Sequence, residues 1–455
     1  MKKKFSFEDL LFKGLPLWLV LILTIFGILG SFVFAYSAQY YATGGRLGGA
    51  VTRMLHKLSG VPHPFFVAIR EVASGNPQIF PYDGQPGFVF SDPTLREEGY
   101  LLASAYDETN KISTIFLYEL SSQKLIKEWV PNMDQIHALS SFRGELNIQK
   151  NYRAQHPLLT TDGGVLVTSG EGPLVKLGAD SQVEWAIDRG FHHSIEKASE
   201  DQGYWVPIVM EGSPITNRFG REVELTMRND GIALVSPDGR ILKEQSITQI
   251  LLNAGFAGIL YGVGQFETDR IHLNDIEEIL TTDKFVQAGD LMLSVRNLSS
   301  VLLYRPSTEK VVWLQTGPFL NQHDIDYLGQ GRFAIFGNDN IRSGELLEDN
   351  PVRGVHPYSS AWVYDVNTNK TDRVLEFQKA AVVANAQGRQ EFLENGDVFV
   401  DDAVRAMRIS PSGEVRWTYT HHVGDGRVGA LHWCRYLTKF QIPDIIFQHQ
   451  LHTEL

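Results

Sequence analysis

The sequence predicts an all-β fold, a six-bladed β-propeller with an N-terminal transmembrane helix. Three observations predict it: an uncharged apolar run near the N-terminus, short strands rich in Val, Ile, Phe and Tyr from about residue 99 onward, and a four-strand pattern that recurs along the chain. The 455 residues are 43% hydrophobic and 21% charged, so the chain is long enough to bury a large core.

The composition argues against two kinds of site. Lys and Arg total 41 against 53 Asp and Glu, and the formal charge of -12 disfavours binding of nucleic acid through its phosphate backbone. Cys434 is the single cysteine, so neither an intramolecular disulfide nor a CxxC zinc or redox motif can form. A core of this size is stable without disulfides, so the absence of disulfides does not indicate that the chain is cytosolic.

The N-terminal region predicts a membrane anchor. Four lysines flank the beginning of the segment Leu15–Tyr36, which runs 22 residues without a charge and is long enough to cross a hydrocarbon core of about 30 Å as a helix. A cleaved signal peptide is the alternative, but its apolar region would be shorter, and Tyr36 stands where a small residue is wanted. The lysines favour a cytoplasmic N-terminus. We therefore expect a single-pass protein of the cell inner membrane, with its folded domain on the periplasmic side.

The chain divides into five predicted parts. They are a cytoplasmic N-terminus (1–14), the transmembrane helix (15–36), a helical or irregular connector (37–98), the propeller (99–435) and a C-terminal tail (436–455). Apolar residues at helical spacing predict a helix within the connector, over 47–75. The tail is expected to pack on the propeller or to help close it.

Six segments of the propeller region follow one template. An inner strand passes through a glycine turn to a second strand, and a third strand passes through a polar turn to a fourth, which often ends in Trp. The segments span 99–129, 155–185, 192–247, 272–315, 322–377 and 386–419. Four strands in each repeat are typical of propeller blades. A long β-sandwich is the alternative, but it would not repeat a four-strand unit with the same terminal Trp, which we expect to pack between blades.

Histidines recur where the inner strands begin. His193, His272 and His323 open three successive segments, and His156 has the like position in the second segment but is followed by Pro157. Because the inner strand of each blade lines the central channel, these side chains should meet at one end of the channel.

Two further polar residues should join them. Asn274 lies two residues after His272 and so shares its face of the strand, and Arg296 ends the next strand of the same segment. Imidazole, amide and guanidinium groups without a certain carboxylate suit an anion with three or more oxygens.

The motifs "FHHSI", "IHLNDI…SVRN" and "NQHDIDYL…FGNDN" resemble those of the bacterial arylsulfotransferases, which transfer a sulfuryl group between phenols without a nucleotide sulfate donor. The resemblance covers roughly residues 99–435 and implies a six-bladed propeller that uses an aryl sulfate, a phenol and no cofactor. It implies His323 as a nucleophile that is transiently sulfated. The remaining residues implied are His272 and Arg296 in acid–base and sulfate-binding roles, His193 as a further catalytic histidine, and Asn274 and His192 in substrate binding.

The sequence departs from the family pattern in four places. Ser194 stands where the family's "HHD" has its acidic residue, and "AQGRQ" (386–390) replaces the family's small hydroxyl residues. The segment 75–98 is too short for the β-sandwich that some members carry before the propeller, and their disulfide cannot form here.

The main alternative is a non-catalytic propeller that serves as an accessory or scaffold subunit of a membrane complex. An enzyme needs an open channel mouth, whereas a scaffold can fill it with the insertions 209–224, 253–270 or 342–359. Metal binding by the three histidines is disfavoured because Arg296 would repel a cation. His421 and His422 are expected in an exposed loop without function. The donor, the acceptor and the choice between a homo-oligomer and a membrane-complex partner stay open.

Overall fold

The computed structural model of the chain describes most of the residues after position 76 and one helix before it. The described residues are 17–42, 76, 78–92, 94, 97–141, 149–212, 227–264, 267–340, 358–374, 376–384, 386–424 and 426–451. The chain divides into two compact units, Met1–Gly75 and Asn76–Leu455. The second unit is mostly β-structure arranged in several antiparallel sheets.

Helix α1 (Leu17–Ala42) is the described part of the first unit. Its side chains are described from Trp18 to Ser31, and nearly all of them are exposed. Counting described residues alone, no helix is both long and apolar enough to cross a membrane. The predicted transmembrane helix over 15–36 is therefore not confirmed, and the predicted helix over 47–75 lies outside the described residues.

The second unit is built from short strands and a few short helices. The strands are β1 (Ile79–Pro81), β2 (Gly87–Phe90), β3 (Tyr100–Asp107), β4 (Ile112–Glu119), β5 (Lys124–Trp129), β6 (Gln155–Leu159), β7 (Val165–Thr168), β8 (Gly172–Leu177), β9 (Val183–Phe191), β10 (Glu196–Lys197), β11 (Tyr204–Val209), β12 (Asp230–Val235), β13 (Ile241–Ser246), β14 (Leu273–Glu278), β15 (Leu291–Val295), β16 (Ser300–Arg305), β17 (Lys310–Thr316), β18 (Asp324–Gly329), β19 (Arg332–Gly337), β20 (Ser360–Asp365), β21 (Lys370–Val374), β22 (Arg389–Phe392), β23 (Val398–Asp401), β24 (Ala406–Ile409), β25 (Val415–His422), β26 (Arg427–Gly429) and β27 (Arg435–Leu437). The α-helices are α2 (Met133–Leu139), α3 (Ile247–Asn253), α4 (Ala257–Tyr261), α5 (Glu376–Lys379) and α6 (Asp444–Leu451).

Strand pairing follows the predicted segments closely. Strands β14 to β17 and β18 to β21 form two separate four-stranded sheets that coincide with the fourth and fifth segments. Strands β6 to β9 and β10 to β13 coincide with the second and third segments, and pairing between β9 and β11 joins them into one eight-stranded sheet. Strands β22 to β25 coincide with the sixth segment, and β26, β1 and β2 extend their sheet. The described strands thus form five sheets, and their pairing does not confirm six blades.

The first segment differs from its template. It supplies three strands, and the fourth strand of its sheet is β27 from near the C-terminus, in the order β27-β3-β4-β5. Arg435 pairs with Leu102 and Leu437 with Tyr100. The prediction of four strands within 99–129 is wrong because β3 and β4 have eight residues each and leave room for one more strand.

The predicted connector also contributes to the sheets. Strand β1 pairs with β26 and strand β2 pairs with β25, so residues 79–90 are not helical or irregular throughout. Aromatic side chains explain the pairing of β2, since the ring of Phe88 lies 4.7 Å from that of Tyr419 and Phe90 lies 6.5 Å from Trp417.

The tryptophans at the ends of the segments pack against neighbouring sheets. Trp129 is fully buried and its indole N–H donates to the backbone oxygen of Gly163 in the next sheet at 3.1 Å. Trp313 packs edge-on against Phe333 with ring centres 4.7 Å apart. Buried aromatic rings of this size contribute strongly to core stability.

Neighbouring sheets are also tied together by buried carboxylates. In four places a carboxylate of one sheet accepts a hydrogen bond from a backbone N–H at the inner strand of the next: Asp230 from Leu273 (2.9 Å), Asp275 from Ile325 (3.1 Å), Asp324 from Gln390 (2.9 Å) and Asp401 from Cys434 (2.6 Å). Burial raises the pKa of Asp275 to about 7 and that of Asp401 to about 6. These bonds fix the position at which each inner strand begins relative to the neighbouring sheet.

Several inner strands begin at a residue in the left-handed backbone conformation. The residues are His156 (φ 48°), His193 (φ 56°), His272 (φ 51°) and Trp433 (φ 61°). Histidine tolerates this conformation better than most residues with a side chain do. The sharp change of direction brings the chain into the inner strand, and the side chain at the bend lies at the end of that strand.

Candidate functional site

Three predicted histidines meet at the starts of the inner strands. The ring centre of His193 lies 4.9 Å from that of His272 and 6.4 Å from that of His323. His323 is buried, and His193 and His272 are half-buried. We call these three residues the histidine cluster. Although their side chains are alike, each ring has a different partner at Nδ1.

The ring of His323 is oriented by an amide. Its Nδ1 faces the backbone oxygen of Asn321 at 3.1 Å and the side-chain oxygen of Asn338. Asn338 donates its own N–H groups to the backbone oxygens of Ala384 (2.7 Å) and Gln387 (2.8 Å), so its amide oxygen must face His323. Because two acceptors face Nδ1, this nitrogen carries the proton and Nε2 keeps its lone pair.

The Nε2 atom of His323 has the surroundings of a neutral nucleophile. It is buried and has no hydrogen-bond partner within the part of the chain that the structure describes. Burial and the nearby charge of Arg296 hold the pKa of His323 well below its usual range, so the ring is neutral at neutral pH. The backbone N–H of Arg296 donates to the backbone oxygen of His272 at 3.1 Å, which fixes this arginine beside the cluster.

The ring of His272 is oriented by a carboxylate. Its Nδ1 lies 2.6 Å from Oδ2 of Asp269, and since a carboxylate only accepts, Nδ1 donates. A carboxylate in this position stabilises the charged as well as the correctly oriented neutral ring. The Nε2 atom of His272 can therefore give up a proton and take it back.

The ring of His193 is oriented by a chain of donors. Nη2 of Arg228 lies 2.9 Å from Nε2 of His192, and because arginine only donates, Nε2 of His192 accepts. The proton of His192 is then on Nδ1, which lies 2.9 Å from Nδ1 of His193. Burial lowers the pKa of both histidines, so both rings are neutral. His193 consequently carries its own proton on Nε2 and is a hydrogen-bond donor there.

Arg228 is held by carboxylates on three sides. Its Nε donates to Asp230 at 2.6 Å and its Nη1 to Glu171 at 2.5 Å. Oδ1 of Asp269 lies 3.8 Å from the same Nη1. Asp269 therefore connects the partner of His272 to the group that orients His192 and His193.

The two predicted substrate-binding residues, His192 and Asn274, support the histidine cluster through contacts with protein groups. Both ring nitrogens of His192 face protein partners, so His192 lies behind His193 and supports it. Asn274 donates from Nδ2 to the backbone oxygen of Gln322 at 2.7 Å, which ties the strand of His272 to the turn before His323. Its Oδ1 is buried without a partner among the described residues.

Sequence reasoning missed three residues of this site, namely Asn338, Asp269 and Arg228. Asn338 lies within the motif "FGNDN", and a neutral histidine nucleophile requires a partner at Nδ1, so it could have been found. Asp269 stands three residues before His272, within reach of its ring. Arg228 follows a long insertion and had no sequence signal.

The prediction that His421 and His422 lie in an exposed loop is wrong. Both end strand β25, and His421 is buried while His422 is exposed. The ring of His421 stacks on Phe116 at 4.8 Å, and its Nδ1 lies 3.0 Å from the hydroxyl of Tyr419. Burial lowers the pKa of His421 to about 4, so it is a neutral core residue.

Of the three insertions, 209–224 and 342–359 lie mostly outside the described residues. In the insertion 253–270, Arg270 donates to the backbone oxygens of Leu260 (2.9 Å), Ile259 (3.1 Å) and Val263 (2.6 Å). This segment is therefore fixed to the chain two residues before His272. Among the described residues no group of three or more His, Cys, Asp or Glu side chains is arranged to hold a metal ion.

The chain is similar to known proteins in sequence and in fold. The profile of a family described as "Arylsulfotransferase (ASST)" matches residues 170–422, which is more than half of the chain. No curated protein matches it.

Several solved structures are distantly similar. A protein of unknown function from Bacteroides caccae is 12% identical at a TM-score of 0.48, and the match covers 75% of this chain and 99% of that one. Streptogramin B lyase is 10% identical at a TM-score of 0.39, with coverages of 74% and 88%. The WD40 β-propeller domain of Doa1 is 11% identical at a TM-score of 0.35, with coverages of 70% and 74%. Likenesses this slight carry no argument about function.

The partner of His323 generates a prediction about its pKa. Asn338→Asp places a carboxylate at Nδ1, which favours the charged ring, so the pKa of His323 should rise. The measurement is a pH titration of the side-chain nitrogen chemical shifts in protein labelled at histidine. Asn367→Asp makes the same charge change at an exposed position and should leave His323 unchanged. An unaltered titration of His323 in Asn338→Asp contradicts the assigned contact.

Proposed function

Because the chain belongs to the arylsulfotransferase family, we propose that it transfers a sulfuryl group from an aryl sulfate to a phenolic acceptor through a transient sulfohistidine at His323. The observation that carries the proposal is the state of His323, a buried neutral ring whose Nε2 lone pair has no hydrogen-bond partner among the described residues and which lies beside a guanidinium. A neutral imidazole is a competent nucleophile whose product can pass the group on.

In the first half of the reaction, Nε2 of His323 attacks the sulfur of the donor. A nitrogen–sulfur bond forms and the bond from sulfur to the aryl oxygen breaks. Phenols titrate near pH 10, so the departing oxygen needs a proton at neutral pH. His272, held by Asp269, supplies this proton from Nε2 and is left neutral.

In the second half, neutral His272 removes the proton of the acceptor phenol. The phenol oxygen attacks the sulfur, and the nitrogen–sulfur bond breaks with its electron pair returning to His323. His272 is again protonated, and the cycle closes without a cofactor. The amide oxygen of Asn338 stabilises the Nδ1–H of His323, which becomes more acidic while the ring carries the sulfuryl group.

Charge on the sulfuryl oxygens is stabilised by groups that donate. Arg296 contributes a positive charge, and His193 contributes the Nε2–H that Arg228 and His192 fix. Positioned donors in a dry site are usually the largest contribution to the rate of such transfers. His192 acts in this proposal by orienting His193, and Asn274 by holding the turn before His323.

The proposed framework for this site is a six-bladed propeller over 99–435. The support is that most predicted segments coincide with a four-strand unit and that β27 completes the sheet of the first segment. Buried carboxylates also link successive inner strands. Such an arrangement brings the starts of the inner strands to one end of a channel.

His323→Ala should abolish transfer from a chromogenic aryl sulfate to a phenol, because the nucleophile is removed. Arg296→Ala should slow transfer by roughly 10²-fold, as expected for losing one donor to developing charge. Donor alone should add one sulfuryl group to the His323 peptide, seen by mass spectrometry under mild conditions. His422→Ala, at an exposed position, is the control. Turnover that survives His323→Ala rules out the mechanism, and a wild type inert to every aryl sulfate favours the scaffold hypothesis.

His272→Ala should slow transfer in a way that depends on the leaving group. A phenol of low pKa departs without a proton, whereas a phenol of high pKa requires one, so the loss should grow with the pKa of the leaving phenol. The measurement is kcat/KM for a series of substituted aryl sulfates in wild type and variant. An equal loss for every donor contradicts a general-acid role for His272.

We also propose that the segment Leu15–Tyr36 anchors the protein in the inner membrane with its β-domain in the periplasm. The support is the run of 22 uncharged residues and the helical conformation of Leu17–Ala42. Protease added to cells with a permeabilised outer layer should digest the β-domain while a cytoplasmic marker survives. Protection of the β-domain contradicts this orientation.

A further inference from the structure

A fourth histidine lies beside the histidine cluster and takes no part in the mechanism above. His156 has 2% of its surface exposed, and its ring stacks on Trp433 with ring centres 4.3 Å apart and planes 23° from parallel. Trp433 in turn lies edge-on to His193 at 5.8 Å. Trp433 therefore lies in contact with both His156 and His193.

The ring of His156 is left without hydrogen bonds. Neither Nδ1 nor Nε2 has a partner in the described ranges, and the indole N–H of Trp433 has none either. A neutral imidazole always carries one N–H, so at least two buried donors next to the cluster are unsatisfied. Leaving a buried donor unpaired destabilises the folded state, and native proteins keep such atoms to a few.

The surroundings indicate which ligand would satisfy these donors. The two unsatisfied groups, the N–H of His156 and the indole N–H of Trp433, are donors. Burial, followed by the charges of Arg435 and Arg389, lowers the pKa of His156. Among the described residues no group of three or more His, Cys, Asp or Glu side chains is arranged to hold a metal ion, whereas an oxyanion accepts hydrogen bonds on every oxygen. A neutral N–H and an indole N–H bind such oxygens without the desolvation of a further charge.

We infer that His156 is a substrate-binding residue, whose N–H donates to an oxygen of the sulfuryl group, and that Trp433 holds the ring of His156 in position by stacking. The inference rests on the proposed function and extends it, because it adds a donor from the second segment to the donors of the third and fourth segments and the nucleophile of the fifth. Pro157 follows His156 and fixes the start of strand β6, so the ring has little freedom to turn away.

The left-handed backbone at His156 allows a matched set of variants. Asn, Asp and Gly all tolerate a φ of 48°, so none of them strains the turn. His156→Asn keeps an N–H donor, His156→Gly removes it, and His156→Asp replaces it by a negative acceptor. Binding of inorganic sulfate by isothermal titration calorimetry measures the effect on the full-length protein, with thermal unfolding to verify the fold and His421→Asn as a control at a buried histidine elsewhere.

Sulfate should bind the wild type and His156→Asn within a few-fold of each other. The dissociation constant should rise roughly 10-fold or more in His156→Gly and further in His156→Asp, as expected for losing a hydrogen bond to a charged group. In turnover, His156→Gly should raise KM for the aryl sulfate more than it lowers kcat. Trp433→Phe keeps the stack and should weaken sulfate binding less than His156→Gly.

The outcomes separate this inference from the proposed function. Equal sulfate affinity and equal KM in folded wild type and His156→Gly overturn the inference, even if transfer proceeds through His323. Failure of the wild type to bind sulfate overturns it as well. Sulfate binding that depends on His156 in a protein that transfers nothing supports the inference and contradicts the proposed function.

Discussion

The site depends on hydrogen bonds that buried carboxylates of one sheet accept from the inner strand of the next. Leu273, whose backbone N–H donates to Asp230, is the residue after His272, and Ile325, whose backbone N–H donates to Asp275, is two residues after His323. Each bond therefore fixes a backbone position adjacent to a histidine of the cluster. Raised pKa values at Asp275 and Asp401 reflect the cost of burying these groups, and a bond of this kind is hard to replace by an apolar contact because the N–H would be left unpaired.

Within that framework, the partner at Nδ1 distinguishes three otherwise equal side chains. An amide oxygen leaves His323 neutral with a lone pair, a carboxylate lets His272 exchange a proton, and a neighbouring ring nitrogen makes His193 a donor. Three identical side chains can therefore have different functions because each ring has a different hydrogen-bond partner at Nδ1. Asp269 is common to two of these arrangements, since it binds His272 and lies near Arg228.

The repeat could be predicted from the sequence because alternation, glycine turns and terminal tryptophans are local, and the cluster of His193, His272 and His323 followed from the repeat. Long-range pairing could not. Nothing in 79–90 identifies β26 and β25 as partners, and β27 is too short to be assigned to a sheet that begins more than three hundred residues earlier. The prediction of a loop at His421 was wrong because the end of a strand and a loop have similar sequences when the stretch is short and polar. Arg228 was missed because contact through space with His192 leaves no trace in spacing.

Closure of the first sheet by β27 has a consequence for folding. Trp433, which stacks on His156, and Cys434, whose backbone N–H donates to Asp401, stand directly before that strand. The pairing of Arg435 with Leu102 joins parts of the chain that are more than three hundred residues apart. Joining chain segments so far apart costs loop entropy and slows folding. Until β27 pairs with it, β3 has an unpaired edge, and such an edge can pair with another chain.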